Sequence, residues 1–233
     1  MAQDQLMLDK VSQDQVPVLR IYGWSPPAVS IGYFQSLRDE VDETICRKKG
    51  VDIVRRMTGG GAVYHKTEAT YSLILPQKTM NCDIQKSYEK INQGVVEALR
   101  LLGVESRFRP LNDITVGGKK ISGNAQTRRG RCILQHGTIL LDVDPREMFT
   151  ILKVDSEKQR DKAIKNVLQY VTSVRDELGC EVSYEEMSDA LRRGFREALE
   201  LNYCEKPLTG GEQAAAQKIS EDKFSKDEWN YRR

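Results

Sequence analysis

Histidine is scarce in this chain, at two residues, His65 and His136, which argues against a histidine-rich metal centre. The five cysteines, at 46, 82, 132, 180 and 204, form no CxxC pair and leave one over. That spacing excludes a disulfide framework and a cysteine-based zinc site, and it fits reduced thiols in a cytoplasmic protein. No apolar run approaches the roughly 18–20 residues needed to span a bilayer, and the opening Met-Ala-Gln-Asp-Gln-Leu lacks a signal peptide's basic and apolar regions. A strong charge of one sign is missing too. The net charge of +2 is too small to argue for nucleic acid, despite the local run Arg128-Arg129-Gly130-Arg131. What remains, 233 residues with 39% hydrophobic content, suffices for one sizeable core and a single domain over 1–233.

Residues 55–65, Arg-Arg-Met-Thr-Gly-Gly-Gly-Ala-Val-Tyr-His, are the most informative stretch. Three adjacent glycines lose the most entropy on folding and have no side chains to pack, so a strand end carries them for a reason. The usual reason is a backbone that approaches a ligand closely and aims its N–H groups at an anion. Arg55 and Arg56 add forked cationic donors suited to phosphate or carboxylate. A second segment, 111–126, reads as two strands, Ile114–Val116 and Lys119–Ala125, joined at Gly117-Gly118. Lys120 sits just after that turn among Ser122, Gly123 and Ala125. By itself it reads either as a solvated hairpin lysine or as a charge with room for a ligand beside it. A third segment, Gln135–Asp142, leads from polar groups into an apolar strand, with His136 either a core histidine or a site residue.

Between these segments the pattern predicts a helix over 2–13, strands at Val16–Tyr22 and Ala28–Gly32, a helix over Asp42–Gly50 and a strand at Asp52–Arg56. Strand character continues at Val63 and Ala69–Leu75. The clearest helix is Ile84–Leu102, whose apolar residues Ile84, Tyr88, Ile91, Val95, Leu99 and Leu102 recur at steps of three and four before Gly103. Pro145–Leu152 reads as a short helix, and Ser183 with Glu186 forms a capping box for a helix to about Leu199. The charged run Asp155–Lys165 is either a solvated helix face or a mobile loop that closes over a phosphate-bearing ligand. Thr209-Gly210-Gly211 reads as a break before a charged tail. Helices and hairpins interleave irregularly, which predicts an α/β (α+β) fold with a mixed, largely antiparallel sheet flanked by helices, and argues against a doubly wound sheet.

The three segments, in this order, resemble the lipoate–protein ligase family, whose pattern runs RRxxGGGAVYHD, NDxxxxGxKxSGxAQ and HGTLLxxxD. They stand here as Arg55–His65, Asn112–Gln126 and His136–Asp144. The likeness continues through Thr172-Ser173-Val174-Arg175 and closes at Asp227-Glu228-Trp229-Asn230, so it covers nearly the whole chain. One departure is Lys66, where the family has aspartate after the loop histidine.

The resemblance implies a fold shared with biotin–protein ligases and related to class II synthetase cores. It implies an enzyme that joins lipoate and ATP, with Mg2+, into lipoyl-AMP and passes the lipoyl group to an acceptor lysine. Arg56, Gly61, Ala62, Val63, Tyr64, Asn112, Asp113 and Lys120 are then expected at the nucleotide, with Asp113 at the magnesium. Arg55, Gly59, Gly60, Gly61, His65, Lys120, Gly123, Ala125, His136, Gly137 and Thr138 are expected at lipoate. Lys120 is the expected catalytic residue, bridging the α-phosphate and the lipoyl carbonyl oxygen. The implied partners are lipoyl domains of 2-oxoacid dehydrogenase acyltransferases, the glycine-cleavage H protein and a separate polypeptide carrying the family's C-terminal accessory domain, with no nucleic acid or membrane. An octanoyltransferase of the same superfamily would use a cysteine shortly before the motif lysine. Here that stretch is Arg109-Pro110-Leu111-Asn112, leaving Cys132 and Cys82 as candidates. A biotin ligase would have a different glycine loop. A lipoyl-adenylate-binding module, inactive without its partner, is the non-catalytic alternative.

Overall fold

The computed structural model describes residues 1–80, 82–154, 156–202 and 204–232. Two sheets organise them. The larger is six-stranded and wholly antiparallel: β1 (Val18–Tyr22), β5 (Glu68–Pro76), β9 (Cys132–Leu140), β8 (Lys119–Arg129), β7 (Asp113–Val116) and β6 (Arg107–Arg109), in that spatial order. The smaller sheet has β2 (Ala28–Ile31) at its centre, parallel to β3 (Asp52–Arg55) and antiparallel to β4 (Val63–His65). A parallel pair needs a crossover. The short helices α2 (Leu37–Glu40) and α3 (Glu43–Lys49) supply it, and α3 is capped by Asp42 and stopped by Gly50 in the left-handed region.

Two long helices cover one face of the large sheet. Helix α4 (Ile84–Leu101) starts where the Asp83 carboxylate accepts from the Lys86 amide, and α8 (Tyr184–Leu199) carries the expected capping box. Ile91, Val95 and Leu99 of α4 and Met187, Leu191 and Phe195 of α8 are buried against Tyr71, Leu73, Ile121 and Ile133 of the sheet. The apolar stripe of α4 therefore points inward as the three-and-four spacing requires, except at Ile84, which is 58% exposed in the first turn. Helix α1 (Ala2–Asp14) seals the other side of the same strands with Met7, Leu8 and Val11 against Ile74 and Leu134.

The structure decides one open reading and changes another. The charged run is the solvated helix and not a loop: α6 (Glu157–Tyr170), capped by Ser156, follows the short α5 (Pro145–Ile151), and none of its residues is buried. A helix with charges on its open face meets its backbone needs internally, so the polar composition needs no loop. Asp155, the first residue of the expected run, lies outside the described residues. Nor does Thr209-Gly210-Gly211 simply break the chain. After α7 (Val174–Leu178), Thr209 and Glu212 form a second capping box that opens α9 (Gly210–Ile219), overriding two glycines of low helix propensity. A short α10 (Asp227–Asn230) ends the described fold. No helix among the described residues is long and apolar enough to cross a membrane.

Candidate active site

A cavity of about 530 Å³ lies between the two sheets, roofed by α5 and the end of α6. The glycine loop forms one wall through Gly60, Gly61, Ala62, Val63, Tyr64 and His65, and β8 with β9 forms the other through Gly123, Ala125, His136, Gly137 and Thr138. Lys120, Asn112 and Arg56 also line it. Three expected site residues do not: Arg55, Gly59 and Asp113.

Arg55 is fully buried, and its guanidinium serves the fold. It donates to the carbonyls of Gly32, Tyr33, Gln35, Trp229 and Asn230 at 2.6–3.1 Å, while Asn230 Oδ1 accepts from the Arg55 amide at 2.8 Å. Strand alternation explains the division of labour: adjacent arginines point to opposite sides, so one of the pair faces inward. Arg56 reaches the cavity, but it too is mostly engaged. Its guanidinium donates to Gly59 O at 2.9 Å, Gly61 O at 2.7 Å, Ser30 O at 3.0 Å and Ser30 Oγ at 3.1 Å. The glycine loop is thus wrapped around a cation of its own. Burial brings the Arg56 pKa down to about 10, so it stays charged at neutral pH. A Cβ at Gly32 would lie 2.0 Å from Gly60 O, so only glycine lets β2 pass this closely behind the loop.

Lys120 owes its direction to a register slip. On β7, Ile114 pairs with Ser122 and Thr115 with Lys120, so β8 advances by two residues where β7 advances by one. Such a bulge re-aims a side chain. It places the Lys120 ammonium over Gly123, where an added Cβ would meet Nζ and Cε at 2.8 Å. Asp113 holds that ammonium in an ion pair at 2.7 Å and takes Arg109 at 2.7 Å. Burial pushes the Asp113 carboxyl up, but the two cations outweigh it and hold it below its ordinary range. A carboxylate between two cations does not fit the magnesium role expected of Asp113; it positions Lys120.

His136 is buried, with Nε2 2.6 Å from Thr58 Oγ1 and Nδ1 3.9 Å from Asp4 Oδ2, too far for a hydrogen bond. Burial lowers its pKa more than the facing carboxylate raises it, so the ring is neutral in the folded protein. Because the unfolded chain binds that proton more readily, folding stability is complete above the ordinary histidine pKa of about 6.5 and declines as pH falls below it. Urea titrations between pH 8 and 5 should therefore show a decline that His136→Gln flattens.

Sequence reasoning missed a third group of lining residues: Trp24, Ser30, Glu68, Thr70 and Asn124. Ser30 and His65 are diagonal neighbours across β2 and β4, since His65 pairs with Ala28, and their side chains meet at 2.7 Å (Oγ to Nε2). His65 Nδ1 makes a short contact with Glu68 Oε1, and Trp24 stacks on the imidazole at 4.1 Å between centroids. The available signal was Glu68 itself, a lone carboxylate at the head of a nine-residue strand buried throughout.

Comparison with known proteins agrees with this architecture. Residues 1–196 match the family described as Lipoyl protein ligase A/B catalytic domain. The chain is similar to Octanoyltransferase LipM of Kyrpidia tusciae, at 38% identity over 258 aligned positions covering 100% of this chain and 94% of the relative. Octanoyltransferase LipM of Staphylococcus epidermidis is 34% identical, with 100% and 94% covered. Among solved structures, a bi-partite lipoate protein ligase from Thermoplasma acidophilum superposes with a TM-score of 0.88 at 35% identity, covering 99% of this chain and 89% of that one. A lipoate-protein ligase A bound with ATP superposes at 0.84 with 33% identity, covering 99% and 92%. With its three motifs gathered on one cavity and most of its length matched, the chain belongs to the lipoyl protein ligase A/B catalytic domain family, an enzyme family of lipoate ligases and acyltransferases.

Proposed function

We propose that this chain is an adenylate-forming lipoate–protein ligase, which activates lipoate with ATP and passes the lipoyl group to a lysine of a lipoyl acceptor domain. One observation carries the reading. None of the five cysteines is among the lining residues: Cys46 and Cys132 are buried elsewhere, Cys82 is half-buried, and Cys180 and Cys204 are exposed. Transfer through a cysteine thioester needs an activated thiolate, whereas burial pushes the Cys132 thiol up and the Cys46 thiol up to about 11. Cations do line the cavity. Bringing a carboxylate onto an α-phosphate joins two anions, and the Lys120 ammonium with the backbone of residues 61–64 supplies fixed positive charge and donors for that. The neighbour bound with ATP and the bi-partite ligase with its E2 lipoyl domain support the nucleotide, the acceptor class and a separate accessory polypeptide.

A second reading, octanoyl transfer from an acyl carrier protein, is favoured by the octanoyltransferase names of the relatives. Intact-mass analysis of a lipoyl domain separates the two. Modification from lipoate and ATP, or from synthetic lipoyl-adenylate, is the ligase result; a second polypeptide is required if only the adenylate works. Modification from octanoyl–acyl carrier protein alone sinks the ligase reading.

A further inference from the structure

Six cavity residues form one hydrogen-bonded line, Arg56–Ser30–His65–Glu68–Thr70–Trp24, with an obligate donor at each end. Arginine and the indole nitrogen can only donate. Arg56 donates to Ser30 Oγ at 3.1 Å, and the Ser30 hydroxyl keeps a proton it can donate to His65 Nε2, 2.7 Å away. Trp24 Nε1 donates to Thr70 Oγ1 at 2.9 Å, and Thr70 donates to Glu68 Oε1 at 3.1 Å. Glu68 Oε1 faces His65 Nδ1, and with the carboxyl oxygen accepting there His65 is the tautomer with Nε2 free to accept. Ser30, His65 and Glu68 are 1%, 4% and 5% exposed, yet all three line the cavity. A buried carboxylate behind a histidine behind a hydroxyl orients the imidazole as a base acting through that hydroxyl. Lys120 cannot do this, because its ammonium is paired with Asp113 across the cavity.

We infer that Ser30 and His65, held by Glu68, are the proton relay for attack of the acceptor lysine. The inference rests on acyl transfer to a lysine, which both proposed readings share. The amine attacks the activated carbonyl, the C–N bond forms, and the C–O bond to the phosphate of the adenylate breaks, its electron pair leaving with AMP. The proton on the new cationic nitrogen passes to Ser30 Oγ as the Ser30 proton moves to His65 Nε2. The imidazolium, paired with Glu68, returns its proton to solvent once product leaves. Around His65 the charged groups are Glu68 on β5, Arg56 after β3 through Ser30, and Lys66 next to it, which is paired with Glu147 of α5 at 2.7 Å.

The test is single-turnover transfer from synthetic lipoyl-adenylate to a lipoyl domain at pH 8, over a range of lipoyl-domain concentrations, with wild type, Ser30→Ala and His65→Gln. At pH 8 both variants should transfer about 100-fold more slowly, the size usual for a positioned base. That deficit should lie in the maximal transfer rate, with the acceptor concentration at half-maximal rate staying within about twofold of wild type. Ser30→Ala removes one oxygen and leaves Arg56 its three carbonyls, so it keeps the test sound if His65→Gln folds poorly. A deficit confined to acceptor binding, or none, overturns the relay. A wild type inert with both lipoyl-adenylate and octanoyl–acyl carrier protein overturns the functional reading instead.

Discussion

Lys120→Ala should lower acyl transfer to a lipoyl domain by about 100- to 1000-fold, the usual loss when a donor aimed at developing negative charge is removed. The ammonium lies above a glycine that leaves space beside it, and Asp113 fixes it from the other side. On the ligase proposal, both activation of a carboxylate and departure of a phosphate need positive charge at the same point, so the two half-reactions should suffer together. Lys120→Arg should not rescue, because a planar fork on a longer stem cannot occupy a point above Gly123 set by a bulge. Rates from preformed lipoyl-adenylate and from lipoate with ATP, measured side by side, decide the matter. A variant within tenfold of wild type in either assay would remove Lys120 from the chemistry.

Arg55→Ala should cost about 3–5 kcal/mol of stability, the range for breaking a buried charged network. Five carbonyls from two separate segments lose their donor at once, among them Trp229 and Asn230, far along the chain. For a domain of this size each kcal/mol moves the melting temperature by roughly 2–4 °C, so the midpoint should drop by about 10 °C. Arg55→Lys should recover only part, since one ammonium has three donors for carbonyls arranged around a fork. Urea unfolding monitored by Trp229, which sits in the same cluster, reads the effect directly. A loss under about 1 kcal/mol would mean that water replaces the guanidinium at little cost.

These two arginines mark the boundary of what the sequence made legible. Their neighbouring positions announced a cationic loop, but nothing local distinguishes a side chain that meets a ligand from one that ties three segments together. That choice depends on Trp229 and Asn230, whose proximity is a product of the whole fold. Elements with strong periodicity or explicit caps, such as α4, α8 and the β7–β8 hairpin, were readable because their determinants lie within a few residues. Helix α6 was ambiguous because its charged composition suits a solvated helix and a loop alike. The polar line from Ser30 to Trp24 was hidden for another reason. It joins β2, β4, β5 and a Trp-Ser-Pro-Pro turn, and each residue alone looks ordinary.

The clamp that Arg56 places on the glycine loop bears on timing. A loop already cinched to an internal cation need not be ordered when a small molecule arrives, so capture is limited by encounter and escape by the contacts made. On the ligase proposal, a mixed anhydride held in such a cradle can outlast the wait for a slowly diffusing protein acceptor. The fate of each activated acyl group, lost to water or delivered to lysine, is then a race whose odds are set by acceptor concentration.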